Sequence, residues 1–336
     1  MIRFMTVFFI VLPAISMAQL QKDDTSNDFY TKMNNTLNFR LDLDNDLRTF
    51  EFQDENGTYS IKPNTNLRLA LALNYRFISL KVGYSPDFLA GSDSELKGNT
   101  KVFKLSLDIF YRDLMQNFDY NRVKGYYVED FEDPNLNMIQ NSNKYTILPD
   151  LKTLSITGTT WYRFNENYSF KAVANQNEIQ TRSTGSFIPS LYYGYFEISD
   201  QTTLQDTKSF FALANAGYYH TFVINKQLFS NMGLSVGLGA EFNKLITRSM
   251  DQPEAVISYH NSMAANISFQ IGLGYNSTRF YGGTVLNGNA TRRNEQSVIK
   301  FDSVRGYFKI YVGYRFDAPK SLEKGMNWIE GKNPFK

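Results

Sequence analysis

The stretch SVRGYFKIYVGYRF, residues 303–316, decides the fold class of this chain. One set of alternate residues is apolar or aromatic, namely Phe308, Ile310, Val312, Tyr314 and Phe316. The intervening set is polar or amphipathic, namely Arg305, Tyr307, Lys309, Tyr311 and Arg315. Alternation with a period of two predicts a β-strand that has one apolar and one polar face. Its length suits a tilted membrane-spanning strand of about 10 residues better than the usual globular strand of about 5–6.

The same alternation recurs along the chain. Residues 66–76 and 101–112 show it most clearly, with charges in the middle of the polar face. A membrane barrel turns such apolar faces toward lipid and such polar faces toward its lumen. A soluble periplasmic sandwich is an alternative, and it requires the charged faces to point outward into water.

The lengths of the connections favour the barrel. Short connections are predicted near residues 75–77, 112–117, 163–167, 224–227 and 276–278. Longer polar segments lie between them, at residues 45–62, 86–100, 129–149, 181–206, 243–255 and 290–302. Outer-membrane barrels alternate short periplasmic turns with long outer loops. We therefore predict an all-β fold, an antiparallel transmembrane β-barrel of about 12 strands with long extracellular loops and short periplasmic turns. Residues 186–198 also look like a strand, and we assign them to an outer loop to preserve the alternation.

Composition excludes several classes of function. The chain has no cysteine, which rules out disulfides, thiolate metal sites, a cysteine nucleophile and a lipoprotein anchor. With two histidines and a net charge of +2, it offers little for a histidine metal site and no basic face for nucleic acid. Its mean hydropathy of −0.38 excludes a helical membrane protein. We predict neither a cofactor nor a metal site.

The N-terminus has the features of a secretory signal peptide. Arg3 precedes an apolar segment, and Ser16-Met17-Ala18 forms a small-x-small cleavage site. We predict a signal peptide over 1–18 that is cleaved after Ala18, and export to the outer membrane. The remaining divisions are a periplasmic segment over 19–34, the barrel over 35–316 and a periplasmic tail over 317–336.

Aromatic residues mark the predicted periplasmic strand ends. The tripeptide Tyr-Arg-Phe begins at positions 75, 162 and 314, and a Tyr-Arg pair begins at 111. Aromatic rings concentrate at membrane–water interfaces. We predict an interface girdle that consists of Tyr75, Tyr111, Tyr162, Tyr314 and Phe316.

The polar faces define a candidate lumen. If the apolar faces point to lipid, the inward set comprises Arg40, Arg68, Lys81, Lys104, Asp108, Lys171, Glu241, Arg305 and Lys309. Bases outnumber acids in this set, even with the addition of Asp42 and Asp44. Unpaired bases favour a wet lumen with a mild preference for anions. The alternative is a closed lumen in which the bases meet acids of an inserted loop such as residues 129–133.

Two motifs hint at chemistry. Asp42, Asp44 and Asp46 form D-x-D-x-D, but Leu47 stands where a calcium loop needs glycine. His260 and Ser262 lie two residues apart on a predicted strand, a spacing similar to that of outer-membrane lipid hydrolases, with Ser262 as nucleophile and His260 as its base. The even positions of that strand face inward, away from lipid, which weighs against the enzyme.

Three motifs together resemble the family described as domain of unknown function 4421, a group of uncharacterised Gram-negative envelope proteins. They are residues 74–80 (NYRFISL), residues 180–187 (QTRSTGSF) and the final Tyr314-Arg315-Phe316. The resemblance implies an outer-membrane barrel and supplies no activity and no functional residues. The last strand also looks like the signal read by the barrel assembly machinery, although Tyr311 stands where glycine is usual.

The leading interpretation is a non-enzymatic outer-membrane barrel, either a small channel or a structural or interaction protein of the envelope. Its expected partners are outer-membrane lipids and the assembly machinery, and nucleic acid is not among them. The alternative is a lipid hydrolase that uses His260 and Ser262.

Overall fold

Antiparallel strands pair edge to edge through most of the described residues in the computed structural model of this chain. The structure describes residues 28–46, 48–54, 57–65, 67–89, 94–130, 145–200, 205–249, 252–293, 299–301 and 304–331. The strands in these ranges are β1 (Tyr30–Lys32), β2 (Thr36–Asp44), β3 (Phe50–Asp54), β4 (Gly57–Lys62), β5 (Arg68–Tyr75), β6 (Ile78–Tyr84), β7 (Lys101–Tyr111), β8 (Leu114–Asp130), β9 (Tyr145–Tyr162), β10 (Glu178–Gln180), β11 (Thr184–Ser199), β12 (Gln205–Val223), β13 (Leu228–Ser249), β14 (Gln252–Asn276), β15 (Phe280–Arg293), β16 (Ile299–Phe301) and β17 (Val304–Asp317). The helices are α1 (Ser94–Lys97), α2 (Phe170–Ala174) and α3 (Lys320–Gly331), with a 3-10 turn at Asp87–Leu89.

Twelve of these strands close into a barrel. Neighbouring strands follow the order β8-β7-β6-β5-β2-β17-β15-β14-β13-β12-β11-β9, and β8 pairs with β9 to complete the ring. The first and last barrel strands, β2 and β17, also pair with each other, from Thr36 opposite Asp317 to Asp44 opposite Lys309. Closure leaves no barrel strand with an unpaired edge, which is a condition for crossing a lipid bilayer with strands.

The two faces of the barrel wall differ in chemistry as the alternation predicts. Outward side chains are large, apolar and exposed, with exposed fractions of 56% for Leu71, 66% for Leu238 and 51% for Ile310. Inward side chains are polar and buried, as in Asn38 and Asn74. A soluble sandwich has the opposite arrangement, with its apolar face buried. The predicted fold class, an antiparallel transmembrane β-barrel of about twelve strands, is confirmed.

One predicted strand assignment is wrong. Residues 186–198 belong to β11, which pairs with β9 on one side and with β12 on the other, and do not form an outer-loop hairpin. The count of twelve still holds because residues 163–183, predicted to contain a short turn and another spanning strand, instead form an inserted segment with α2 and β10.

The predicted long connections contain more regular secondary structure than expected. The segment 45–62 contains β3 and β4, and β4 extends the edge of β8. Residues 243–255, predicted to form a loop, largely continue β13 and β14, which are 22 and 25 residues long. Strands of this length exceed the about 9–11 residues that cross a bilayer, so this hairpin continues beyond the apolar belt.

The chain divides into two compact units. Residues 28–317 form the barrel unit, which includes β1 because this strand pairs with β10. The end of the predicted periplasmic segment, residues 28–34, therefore belongs to the barrel unit. The described part of the second unit contains α3. The predicted signal peptide, 1–18, lies outside the described residues, and none of the helices within them is long and apolar enough to span a bilayer.

The corrected position of β11 is testable by site-directed spin labelling. Single cysteines at Phe187, Ile188 and Leu191 can be labelled cleanly because the chain has no native cysteine. The exposed fractions are 47%, 3% and 37% for these three side chains. We expect oxygen dissolved in lipid to relax labels at 187 and 191 strongly, and a label at 188 weakly. Strong relaxation of all three labels by a water-soluble reagent would instead place the segment in an outer loop.

Candidate functional site

Residues 163–183, here called the plug, fold back into the barrel between β9 and β11. The Ser169 hydroxyl caps α2 by accepting a hydrogen bond from the Ala172 amide at 2.9 Å. Ser169 and Asn175 are fully buried and Gln176 is 1% exposed. Tyr168 is also buried, and desolvation raises the pKa of its phenol above the usual range. A polar segment this deeply buried requires partners for its backbone.

Side chains of the barrel wall supply those partners. Backbone carbonyls at the C-terminal end of a helix receive no hydrogen bond from an N–H group of the same helix, so they need donors from outside it. Arg40 Nη1 donates to the carbonyl of Ala174 at 2.8 Å, and Asn38 Nδ2 donates to the carbonyl of Asn175 at 3.2 Å. Gln176 has a φ of 62°, a left-handed conformation common just after a helix. The plug is therefore bound to the wall through its own helix end.

Arg315 is a further buried contact of the wall with the plug. Its guanidinium is fully buried and donates to the carbonyl of Gln176, with Nε at 3.2 Å. It also donates to the Asn276 side-chain oxygen at 2.6 Å and to the carbonyl of Ser277. Asn276 in turn donates to the Gln176 side chain at 2.8 Å. One arginine thus joins the plug to two barrel strands.

Tyr281 holds two of the wall residues that bind the plug, Asn38 and Arg315. Its hydroxyl donates to the side-chain oxygen of Asn38, which frees the Asn38 amide group for the plug. The ring lies directly over Gly313, where a Cβ would overlap it. The Arg315 guanidinium stacks 4.6 Å from the centre of the same ring. A glycine in the neighbouring strand is therefore required for this side chain to reach inward.

Ion pairs neutralise much of the charge on the inner wall. Arg40 binds Asp42 through two hydrogen bonds of 2.7 and 3.0 Å, and Arg68 binds Asp44 at 2.7 Å. Asp46 lies 3.5 Å from Arg68 and 3.6 Å from Lys104. All three carboxylates of the D-x-D-x-D motif thus have basic partners, an arrangement unlike a calcium site.

A cavity of about 600 Å³ lies between the plug and the long-connection end. Among the described residues, five acidic and five basic side chains line it, namely Asp44, Asp46, Asp108, Asp119, Glu241, Arg48, Arg68, Lys81, Lys104 and Lys309. Aromatic rings, including those of Trp161 and Phe211, also line it. This balance does not support the predicted excess of base. Two acids outside the predicted set, Asp46 and Asp119, line the cavity, whereas two predicted bases, Arg40 and Lys171, are not among its described lining residues. Asp119 lies 3.3 Å from Lys104.

An apolar cluster narrows the other end of the lumen. Phe50 of β3 and Ile61 of β4 pack against inward residues of the wall, including Val123, Leu151 and Phe196. Phe50 is 2% exposed, and its ring lies 5.8 Å from that of Phe196. The β3–β4 hairpin thus packs inside the mouth on the β7–β11 side.

The predicted lumen residues occupy three kinds of position. Arg68, Lys81, Lys104, Asp108, Glu241 and Lys309 line the cavity. Arg40 faces inward beneath them and binds the plug. Lys171, predicted on a spanning strand, instead lies on α2, with its ammonium 3.5 Å from Glu178. The side chain of Arg305 lies outside the described part of the structure.

The predicted girdle residues differ in exposure. Tyr162, Tyr314 and Phe316 are exposed by 42%, 44% and 49%. Tyr111 is half-buried. Tyr75 is only 5% exposed, and the Arg76 guanidinium lies over its ring. Tyr75 is therefore not part of an exposed girdle.

The geometry of His260 and Ser262 does not support a hydrolase. Ser262 is 5% exposed, and its hydroxyl has no hydrogen-bond partner among the described residues. His260 is exposed on the long β13–β14 hairpin. A serine nucleophile needs its base within hydrogen-bond reach, about 2.6–3.2 Å.

Sequence reasoning missed the plug and did not assign Asp46 or Asp119 to the lumen, although it noted Asp46 in the D-x-D-x-D motif. The plug contains the run Asn175-Gln176-Asn177, whose three side chains are unsuited to a lipid-facing strand and were a usable signal. Asp119 was missed because the alternation in β8 is weak, with Gln116 on its outward face.

The contacts of Arg315 predict its effect on stability. Arg315→Ala leaves several buried acceptors without a donor, which is expected to lower the free energy of unfolding by about 3 kcal/mol. Urea unfolding of the folded barrel in vesicles measures this. Arg279→Ala is the control, since Arg279 pairs with Asp317 on the exposed surface and should matter far less. Equal effects of the two substitutions would contradict the assigned role of Arg315.

Solved structures similar to this chain include outer-membrane β-barrel proteins of bacteria. OmpT, an outer membrane protein of Vibrio cholerae, aligns over 89% of this chain and 100% of its own, with 9% identity and a TM-score of 0.33. The β domain of the Bordetella autotransporter BrkA aligns over 84% and 100%, with 10% identity and a TM-score of 0.39. LpxR from Salmonella typhimurium aligns over 83% and 100%, with 9% identity and a TM-score of 0.31. Similarity at this level carries no argument about activity.

None of the curated proteins compared with this sequence matches it. The family model described as domain of unknown function (DUF4421) matches residues 22–316. That range includes the plug, the wall residues that bind it and nearly all of the barrel. The chain therefore belongs to the DUF4421 family, as its strand-end motifs predicted.

Proposed function

We propose that this chain is a non-enzymatic outer-membrane barrel whose lumen is closed at rest, with a structural or interaction role in the envelope. The observation that carries the proposal is the plug, which is bound to the wall by Asn38, Arg40 and Arg315. An open pore has a lumen free of such a segment. A catalytic barrel needs a reactive group with its base, which the His260–Ser262 pair does not provide.

The membrane location rests on the outward belt. Exposed leucine, isoleucine, valine and phenylalanine side chains occur on strand after strand around the ring, including Leu41, Leu80, Phe118, Leu234 and Ile310. A surface this apolar is unstable in water and stable in lipid. The absence of cysteine and the predicted signal peptide, cleaved after Ala18, agree with export to the outer membrane.

The orientation and assembly of the barrel follow from its ends. We place the short turns and the plug on the periplasmic side, and the long connections outside. The girdle residues Tyr162, Tyr314 and Phe316 then lie at the periplasmic interface. Tyr314 and Phe316 face outward at the end of the last strand, where the barrel assembly machinery is expected to bind.

The closed lumen conflicts with a simple channel. The cavity is bounded at one end by Tyr168, Phe170 and Ala174 of the plug and at the other by Arg48 and Phe50. Since the described acids and bases around it are equal in number, they give no net charge that would select anions. Passage of solutes along the lumen would therefore require the plug to move.

The closed lumen is testable by planar-bilayer recording. We expect the wild-type chain, once inserted, to show no steady single-channel conductance at moderate voltage. Heat-modifiable gel mobility confirms folding in the same sample. Stable open channels that persist without an applied voltage step would contradict the closed lumen.

A variant without the plug sharpens this test. Asn165 and Thr184 already touch, with 3.1 Å between their side-chain atoms, so an Asn-Gly turn can replace residues 166–183. A reporter cysteine at Ser190, which lines the cavity, is introduced with and without this replacement. We expect a water-soluble maleimide to label the cysteine at least about tenfold faster in the shortened chain than in the full chain, because a thiol reacts with the reagent only where water can reach it. Equal rates in two folded proteins would mean that the plug does not close this end.

A further inference from the structure

Three lysines lie side by side on the outer surface of the barrel. Lys101 of β7 is directly opposite Lys124 of β8, and Lys124 is directly opposite Lys152 of β9. All three lie on the outward face, since the inward positions next to them are Val102, Val123 and Leu151, which are 6%, 3% and 3% exposed. We call Lys101, Lys124 and Lys152 the lysine row.

The lysine row lies at the edge of the apolar belt. On the same outward face, the next residues toward the short turns are Phe103 and Leu105 on β7 and Leu154 and Ile156 on β9. Phe103, Leu105 and Ile156 are exposed by 45%, 37% and 48%. Lysines at such a boundary keep their stems on apolar surface and extend their ammonium groups to the polar interface.

The positive charge of the row is incompletely neutralised. Asp150 binds Lys124 at 2.9 Å, and both side chains are exposed by more than two-fifths. Neither Lys101 nor Lys152 has a carboxylate within ion-pair distance in the described parts of the chain. Arg122, also on the outward face of β8 and exposed, adds a fourth base close by. Among the described residues of this patch, four bases and one acid give a local charge of +3.

Like charges directly opposite each other across neighbouring strands destabilise a sheet. Two such pairs occur in succession here, Lys101–Lys124 and Lys124–Lys152. An anion bound across the row removes this repulsion and gains charge-assisted hydrogen bonds from several ammonium groups. The arrangement is thus more favourable with an anionic ligand than without one.

We infer that the lysine row is a binding site for the phosphate groups of a phosphorylated membrane lipid in the leaflet on the long-connection side. The lipid's acyl chains would lie on Phe103, Leu105 and Ile156, and its phosphates on Lys101, Lys124 and Lys152. The inference rests on the membrane location in the proposed function. It adds a lipid class and a contact surface that the closed lumen does not require.

The site is testable with the full chain folded in a neutral detergent. Binding of bisphosphorylated lipid A and of its dephosphorylated analogue is measured by native mass spectrometry. We expect the phosphorylated lipid to bind at least about tenfold more tightly, as expected for several bases near one anionic headgroup. Replacing all three lysines with glutamine should remove that preference. Inorganic phosphate at millimolar concentration should not displace the lipid, because it lacks the acyl chains.

The control is a second triple variant with the same change in net charge. Arg182→Gln, Lys226→Gln and Arg279→Gln remove three exposed bases from the end of the barrel that has the short turns. This variant should keep the preference for the phosphorylated lipid within about twofold, since distant surface charges are screened. Equal losses in the two triple variants, no preference in the wild type, or full displacement by inorganic phosphate would each overturn the inference.

Asp150→Asn gives a test of opposite sign. It frees Lys124 and removes the one acid, so lipid A should bind more tightly than to the wild type. Weaker binding would contradict the site even if the triple variant failed to fold. Insertion of the wild type into vesicles, read by heat-modifiable mobility, is scored separately. Failure to insert contradicts the proposed function, whereas insertion without lipid discrimination contradicts the lysine row alone.

Discussion

The closure of the lumen depends on the hydrogen bonds that side chains of the barrel wall donate to the end of one short helix, α2. The carbonyls of Ala174, Asn175 and Gln176 would be unsatisfied inside the barrel without Arg40, Asn38 and Arg315. An unpaired buried carbonyl costs about 1–3 kcal/mol, so three of them would be enough to keep the plug out of the lumen. The donors are themselves held in place, Arg40 by Asp42 and Arg315 by Asn276. The plug and the wall are therefore stable inside the barrel only together.

This constraint explains the distribution of charge in the lumen. Arginine near the plug donates to carbonyls, whereas higher in the wall Arg68 and Lys104 pair with Asp44 and Asp119. The described residues that line the cavity between the plug and the β3–β4 hairpin include equal numbers of acids and bases. Because the inner wall is engaged with itself and with the plug, the net positive charge available to a ligand lies outside, in the lysine row. Contacts with other envelope components are thus expected on the outer surface.

Much of the fold could be predicted from the sequence because alternation is a local property. Tyr314 and Phe316 indicate an outward face without any knowledge of the rest of the chain. The count of twelve strands held because the wrong assignments of residues 163–183 and 186–198 offset each other. The plug could not be predicted in this way. Its contacts join residues far apart in sequence, such as Asn38 with Asn177, and no local pattern reveals them. Residues 163–183 lie in the lumen and not in the wall, so Lys171 is on α2 and not on a strand, and β11 is the spanning strand. The wall bases Arg68, Lys81 and Lys104 were found because each lies on a clearly alternating strand.

The central claim is that the plug resides in the lumen as part of the folded barrel. Hydrogen–deuterium exchange of the unmodified chain, folded in lipid vesicles, measures this directly. The account predicts that amides of residues 168–180 exchange as slowly as those of β5 and β17, because they are buried and hydrogen-bonded. Exchange of these amides within seconds, while the barrel strands remain protected, would show that the plug lies outside a lumen that is open.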